Sequence, residues 1–127
     1  MPKWTNEQQL AIKHEGENII VSAGAGSGKT AVLSERVLRK LKSGVGIKQL
    51  LILTFTKAAA AEMRERIRAN IKKNPDLASQ LLELDGAYIT TFDSYSLSLV
   101  KKYHYLLNVS KNIQIGEASV FTIRENE

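Results

Sequence analysis

The chain has 127 residues, 43% apolar and 24% charged, with a net charge of +5 and no cysteine. That length can bury one core, and the composition is that of a globular domain. It excludes a disulfide framework and a thiolate metal site, and no apolar run approaches the roughly 20 residues that span a bilayer. An isoelectric point near 9.5 suits a polyanionic partner. The start, Met1-Pro2-Lys3-Trp4-Thr5, lacks the apolar core of a signal peptide, and a cytoplasmic setting without a membrane partner is expected.

Thr5 with Gln8 reads as a capping box opening a short helix to about His14, with Leu10 and Ile12 as expected buried positions and Gly16 as the stop. Spacing gives Gln8 the capping role first; its carboxamide, donor and acceptor together, also suits the edge of adenine. Asn18 to Ser22, with Ile19-Ile20-Val21 inside it, reads as a strand. Then comes Ala23-Gly24-Ala25-Gly26-Ser27-Gly28-Lys29-Thr30, which opens a helix to about Lys42. Strand, glycine-rich loop and helix together mark a phosphate-binding loop, although Ala23 stands where the strict pattern has glycine. Small residues let successive N–H groups point at a triphosphate, and the helix N-terminus adds its own unpaired N–H groups. Lys29 would meet the β- and γ-phosphates and the Thr30 hydroxyl would ligate Mg2+, which makes these two the catalytic candidates. A plain surface loop carrying a lysine is the rival reading, and the flanking strand and helix argue against it.

In the helix after Thr30, Leu33, Val37, Leu38 and Leu41 share one face, and Ser43-Gly44-Val45-Gly46 ends it. Gln49 to Thr54 is nearly all apolar, as a strand buried on both faces of a parallel sheet would be. Phe55-Thr56-Lys57 leads into a helix with Met63, Ile67 and Ile71 on one face and Ala59 and Ala60 continuing it; Asn74-Pro75 ends that helix. Asp76 to Leu84 reads as a further helix closing at Gly86. Its end, Leu81-Leu82-Glu83-Leu84-Asp85, superficially resembles a strand with a magnesium-binding aspartate, but good helix formers and the glycine favour helix. A third strand, Ala87 to Thr91, precedes Phe92-Asp93-Ser94 and a helix to about Leu107. Tyr95, Leu99, Tyr103, Leu106 and Leu107 form its apolar side, and Lys101, Lys102 and His104 a solvated one. Asn112 to Ile115 is a last strand candidate, and a disordered tail is expected from about 116 to 127.

Alternating strands and helices predict an α/β fold with a mainly parallel sheet, whose ligands sit at the carboxyl ends of the strands. Three loops leave those ends. The second and third share one grammar: threonine, aromatic, then a small polar residue at a helix start. Hydroxyls and helix amides contact phosphodiester oxygens, while aromatics stack on bases. Phe55, Thr56, Lys57, Thr91, Phe92 and Ser94 are therefore the candidate DNA-binding residues. A small phosphate-loop kinase, or a non-enzymatic nucleotide- or DNA-binding module, remain the alternatives.

Four blocks carry a family resemblance. Trp4 to Ile12 resembles a Q motif, with Gln8 at the adenine-reading position. Ala23 to Thr30 is similar to motif I, alanine at position 23 included. Leu53-Thr54-Phe55-Thr56-Lys57-Ala58-Ala59-Ala60-Ala61-Glu62-Met63-Arg64 is similar to motif Ia, and Thr91-Phe92-Asp93-Ser94 resembles the Thr-Phe-His-Ser block of motif Ib. The sequence thus looks like the start of a superfamily 1 DNA helicase of the UvrD/Rep type, nearest its helicase–nuclease branch. The resemblance implies a three-layer RecA-like P-loop NTPase, with residues 1–127 as the N-terminal part of the first, ATP-binding motor domain. It implies ATP and Mg2+ as cofactors, and Gln8 and the run Ala23, Gly24, Ala25, Gly26, Ser27, Gly28, Lys29 and Thr30 as the nucleotide site. It also implies translocation along single-stranded DNA and duplex unwinding in repair or recombination. Its implied partners are single-stranded DNA, the remainder of the helicase chain and a second helicase–nuclease subunit. Two positions depart from the family: Lys57 replaces the usual asparagine, and Asp93 replaces the usual histidine. The family's magnesium aspartate–glutamate pair, its transition-state arginines and its second motor domain have no counterpart here. The chain is therefore expected to be an incomplete N-terminal fragment that binds ATP without turning it over.

Overall fold

The apolar stripe Met63, Ile67 and Ile71 recurs once per helical turn, and the core forms around it. A computed structural model describes residues 3–24 and 28–114. The stripe belongs to α3 (Lys57–Lys72) and is fully buried. On one flank α2 (Lys29–Lys42) contributes Val37, Leu38 and Leu41, and α1 (Asn6–Lys13) packs on α2. On the other flank lies a parallel pair, β1 (Leu51–Thr54) and β2 (Tyr88–Thr91), in register Leu51↔Tyr88 to Thr54↔Thr91. Ile52 and Ile89 sit opposite one another and both enter the core. A 3-10 turn, Pro75–Leu77, and α4 (Ala78–Leu84) add Leu77 and Leu84. From β2 the chain runs into α5 (Phe92–Lys102) and α6 (His104–Leu107).

Helix ends are closed by side chains that the sequence places there. The Thr5 amide donates to Gln8 Oε1 at 2.9 Å and the Gln8 amide to Thr5 Oγ1 at 3.2 Å, completing the capping box. Thr56 and Thr91 cap α3 and α5 through the amides of Ala59 and Ser94. Two arginines serve the opposite ends, where helices leave carbonyls unpaired. Arg36 on α2 donates to the carbonyls of Ala11 (2.8 Å) and Ile12 (3.5 Å) at the end of α1. Arg64 on α3 donates to Leu84 at 2.6 Å, Ala87 at 3.4 Å and Ile89 at 3.3 Å, which ties the end of α4 and the entry to β2 onto α3. Gly86 follows α4 without a left-handed φ. A Cβ there would lie 2.8 Å from Lys48 Cε, the end of a flexible side chain that pairs with Glu83 at 2.9 Å.

Several expectations are corrected. No strand forms over Asn18–Ser22, and Ile20 is 99% exposed. A strand is held by its neighbours' ladder, and among the described residues β1 and β2 pair only with each other. The face of the sheet turned away from α3 is only partly covered: Leu51 and Tyr88 remain about half exposed, and Tyr88 meets Tyr95 of α5 edge-on at 5.7 Å. β1 starts at Leu51, since Ile47–Gln49 forms a 3-10 turn anchored by the Ile47 amide on Gln80 Oε1 at 2.8 Å. In α1 it is Ala11 and Ile12 that are buried, while Leu10 points away from α2 and is exposed. Leu33 is likewise exposed. The expected helix from Asp76 is a 3-10 turn followed by α4, and Asp85 comes after a helix, with Arg68 Nη2 3.5 Å away. The last long helix breaks at Tyr103, and neither α5 nor α6 fully buries a side chain. Residues 112–114 form no strand; Ile115 and the tail to 127 lie outside the described residues.

The core assignment predicts a contrast between two truncations. Ile67→Ala, at a residue 1% exposed, should cost about 2–5 kcal/mol by urea denaturation. Leu82→Ala, at one 86% exposed, should stay within about 0.5 kcal/mol of the parent.

Candidate nucleotide and nucleic-acid site

The nucleotide candidates gather at the start of α2. Gly28 is its N-cap with φ of 80°, a left-handed conformation that favours glycine. Lys29 is the first helical residue, and its Nζ donates to the Ala23 carbonyl at 3.2 Å. Thr30 follows, half-buried, and Gly24 is exposed. Ala25, Gly26 and Ser27 lie outside the described residues. Gln8 approaches from α1. Its Oε1 closes the capping box, while its Nε2 lies 3.4 Å from where a Cβ on Gly28 would sit. One side chain therefore caps α1 and abuts the loop.

Gln8, Ala23 and Lys29 line a common cavity of about 710 Å3, together with Thr5, Val21 and Arg36. That volume falls in the range of small-molecule sites. Lys29, Leu33 and Arg36 recur along one face of α2, so the lining could have been extracted from helical spacing once Lys29 was chosen. The residue chemistry fits a nucleotide. A cation and a 14-residue helix N-terminus suit phosphates, apolar Val21 and Leu33 suit a flat base, and the Gln8 carboxamide offers both hydrogen-bonding senses. For Mg2+ the available ligand is the Thr30 hydroxyl. Among the described residues no group of three or more acidic or histidine side chains could hold a metal ion, and a nucleotide-bound Mg2+ takes phosphate oxygens and waters as further ligands.

The DNA candidates gather at the ends of β1 and β2. Thr54 pairs with Thr91, and the next residue on each strand is phenylalanine. The Phe55 and Phe92 rings lie 5.5 Å apart with 32° between their planes. Phe55 is 91% exposed and Phe92 49%. The Thr56 and Thr91 hydroxyls are engaged as caps, and Thr91 Oγ1 also donates to Ser94 Oγ at 2.9 Å. These threonines thus present the amides of a helix N-terminus more than their own oxygens. Lys57 is the first residue of α3, exposed and without an ion pair among the described residues. Asp93 stands exposed in the first turn of α5. Sequence spacing did not show that Phe55 and Phe92 touch, because strand register carries that contact.

The sequence pattern of the UvrD/REP helicase N-terminal domain matches residues 4–123. The chain belongs to the UvrD/Rep helicase family. It is 47% identical over 122 residues to an ATP-dependent helicase/nuclease subunit of Lactobacillus johnsonii, covering 91% of this chain and 10% of that protein. The corresponding protein of Heliobacterium modesticaldum is 45% identical, covering 98% of the chain and 10% of the relative. That of Ligilactobacillus salivarius is 41% identical, covering 98% and 11%. The chain thus spans about a tenth of the length of the curated relatives it matches. UvrD/Rep membership implies a P-loop helicase fold, with which the mixed α/β order and the parallel strand pair agree. No helix among the described residues is long and apolar enough to cross a membrane.

The loop geometry predicts that Gly28→Ala is costly. A left-handed φ at alanine costs roughly 1–2 kcal/mol, and the added methyl would press toward Gln8 Nε2. Thr5→Ala should cost about 1 kcal/mol through the lost cap alone. Urea midpoints for both variants check this; an unchanged Gly28→Ala midpoint would mean the left-handed cap is absent in solution.

Proposed function

We propose that this chain is the ATP-binding, single-strand-facing part of an ATP-dependent DNA helicase. The observation that carries the reading is the placement of two lysines. Lys29 and Lys57 each occupy the first position of a long helix. A cation there opposes the helix dipole and weakens the helix by some tenths of a kcal/mol. Such a placement serves an anion better than it serves the fold. At α2 the anion is the triphosphate of ATP, with Lys29 and the loop amides on its phosphates, Thr30 on Mg2+ and Gln8 at adenine. At α3 it is the backbone of a DNA strand passing Phe55, Thr56, Lys57, Thr91, Phe92 and Ser94.

The fuller reading extends this to a RecA-like three-layer motor domain working in the cytoplasm, in repair or recombination. It would act with the remainder of a helicase chain and a second helicase–nuclease subunit. Family membership and the relatives' shared description as ATP-dependent helicase/nuclease subunits support it. Phosphoryl transfer draws nearly all its catalysis from positioning and electrostatics. Lys29 and Thr30 are two contributors; an acidic magnesium partner, an oriented water and arginine charge are others. We expect the chain by itself to bind ATP without turnover. Phosphate release above a Lys29→Ala blank, stimulated by single-stranded DNA, would overturn that expectation.

Two substitutions test the DNA path. Each phosphate contact adds about 0.7 to the slope of log affinity against log salt for single strands. Lys57→Ala should flatten that slope by about this amount, and an unchanged slope would mean that Lys57 touches no phosphate. Asp93→His should tighten binding at low salt by removing a like charge from the path. Titrations of a labelled oligonucleotide over a salt series read both.

A further inference from the structure

α1 carries Gln8 at one wall of the nucleotide cavity, yet its eight residues cannot hold that place by themselves. Helices shorter than about 12 residues are marginal in water, so neighbours must fix α1. At its start the capping box joins Thr5 to Gln8 within one turn and gives no tie to the rest of the fold. After it, residues 14–22 add neither helix nor strand. Ala11 and Ile12 are buried where α1 packs on α2, but hydrophobic contact is non-directional. Lys40 reaches Glu15 at 3.6 Å beyond the helix end, a partly exposed pair of little weight.

The directional tie is Arg36. The last four carbonyls of a helix have no partner within it. In α1 the Leu10 carbonyl takes the His14 amide at 3.0 Å, and the next two, of Ala11 and Ile12, take Arg36 Nη1 at 2.8 and 3.5 Å. Ala11 lies about one turn after Gln8, and Arg36 about two turns after Lys29. Gln8, Ala11, Lys29 and Arg36 all line the same cavity. One guanidinium thus joins the helix that carries the adenine candidate to the helix that carries the phosphate candidate. We propose that Arg36 is a positioning residue of the nucleotide site: its hold on the Ala11 and Ile12 carbonyls sets the distance from Gln8 to the phosphate loop, and so the fit of a nucleoside triphosphate bound at both ends. The inference rests on the nucleotide reading above. Direct action of its charge on the phosphates is the weaker account. Seven residues of helix put Arg36 about 10 Å from Lys29 along the axis, roughly the Debye length at 0.1 M salt, so solvent screens much of that charge.

Calorimetric titrations of the full chain with ATP and with inorganic tripolyphosphate, each with Mg2+, test this. Tripolyphosphate keeps the phosphate contacts and brings no base to Gln8. Arg36→Met removes the donors and keeps most of the stem. It should weaken ATP roughly 5- to 30-fold, the upper part of the range over which connecting residues modulate a site. Tripolyphosphate should stay within about twofold of the parent, the usual error of additivity. Arg36→Lys keeps the charge on a shorter stem without the fork. It should still weaken ATP selectively, though less, and so decides the matter even where Arg36→Met fails to fold. Arg64→Met frees the carbonyls of Leu84, Ala87 and Ile89 instead, and should lower the urea midpoint without changing either affinity. Equal loss of ATP and tripolyphosphate in Arg36→Met would overturn the proposal, since Arg36 would then act on the phosphates. Parent-like ATP affinity in Arg36→Met or Arg36→Lys would also overturn it, and so would a selective ATP loss in Arg64→Met, which would trace the effect to stability. Failure of the parent chain to bind either ligand would instead remove the nucleotide reading, and the inference with it.

Discussion

The parallel register of β1 and β2 is the constraint on which most of the molecule depends. Side chains alternate along a strand, so a slip of one residue would turn Ile52 or Ile89 out of the core and bring in Leu51 or Leu53 on β1, or Tyr88 or Thr90 on β2. The same register brings Thr54 level with Thr91. Everything beyond the strand ends inherits that level: two phenylalanines, two threonine-capped helices, and the amides those helices present. Core packing and surface chemistry are thus set by one pairing, with α3 burying one side of it and the aromatic pair crowning its end.

The cations of this basic chain divide by task, and the division follows side-chain chemistry. Arg36 and Arg64 use a planar fork of donors to collect backbone carbonyls at the ends of α1 and α4. Arg66 and Arg68 lie along α3 in partly exposed pairs with Glu62 and Glu65, which contribute little. Lys29 and Lys57, compact charges on flexible stems, stand at helix starts, where the backbone itself attracts anions. Arg36 and Arg64 thus tie helix ends together from within, and Lys29 and Lys57 lie exposed at helix starts. Lys29 resting on the Ala23 carbonyl keeps the loop end and the helix start together.

Local rules were enough for much of this. The capping box at Thr5 and Gln8 and the caps at Thr56 and Thr91 depend on residues three apart, and all three form. The stripe of Met63, Ile67 and Ile71 depends on helical periodicity and is buried as spaced. The two strands before the phenylalanine loops were legible for the same reason, as short apolar runs ending in threonine. So was the start of α2, because the glycine-rich loop and its lysine carry their own chemistry.

What required the tertiary structure was whatever lies across from each segment. Asn18–Ser22 has the composition of an interior strand, but a strand exists only when a neighbour supplies its ladder, and no described strand does. Leu10 and Leu33 sit at apolar spacings yet are exposed, because α1 meets α2 along Ala11 and Ile12 and the face of α2 bearing Leu33 lines a cavity. Phe55 met Phe92 through strand register. By itself the sequence determined which residues cap, which form stripes and which loop carries a phosphate-binding pattern, since those depend on neighbours within one or two turns. The structure alone decided which strands pair, which apolar faces are covered and which aromatic rings touch, since those contacts join residues tens of positions apart.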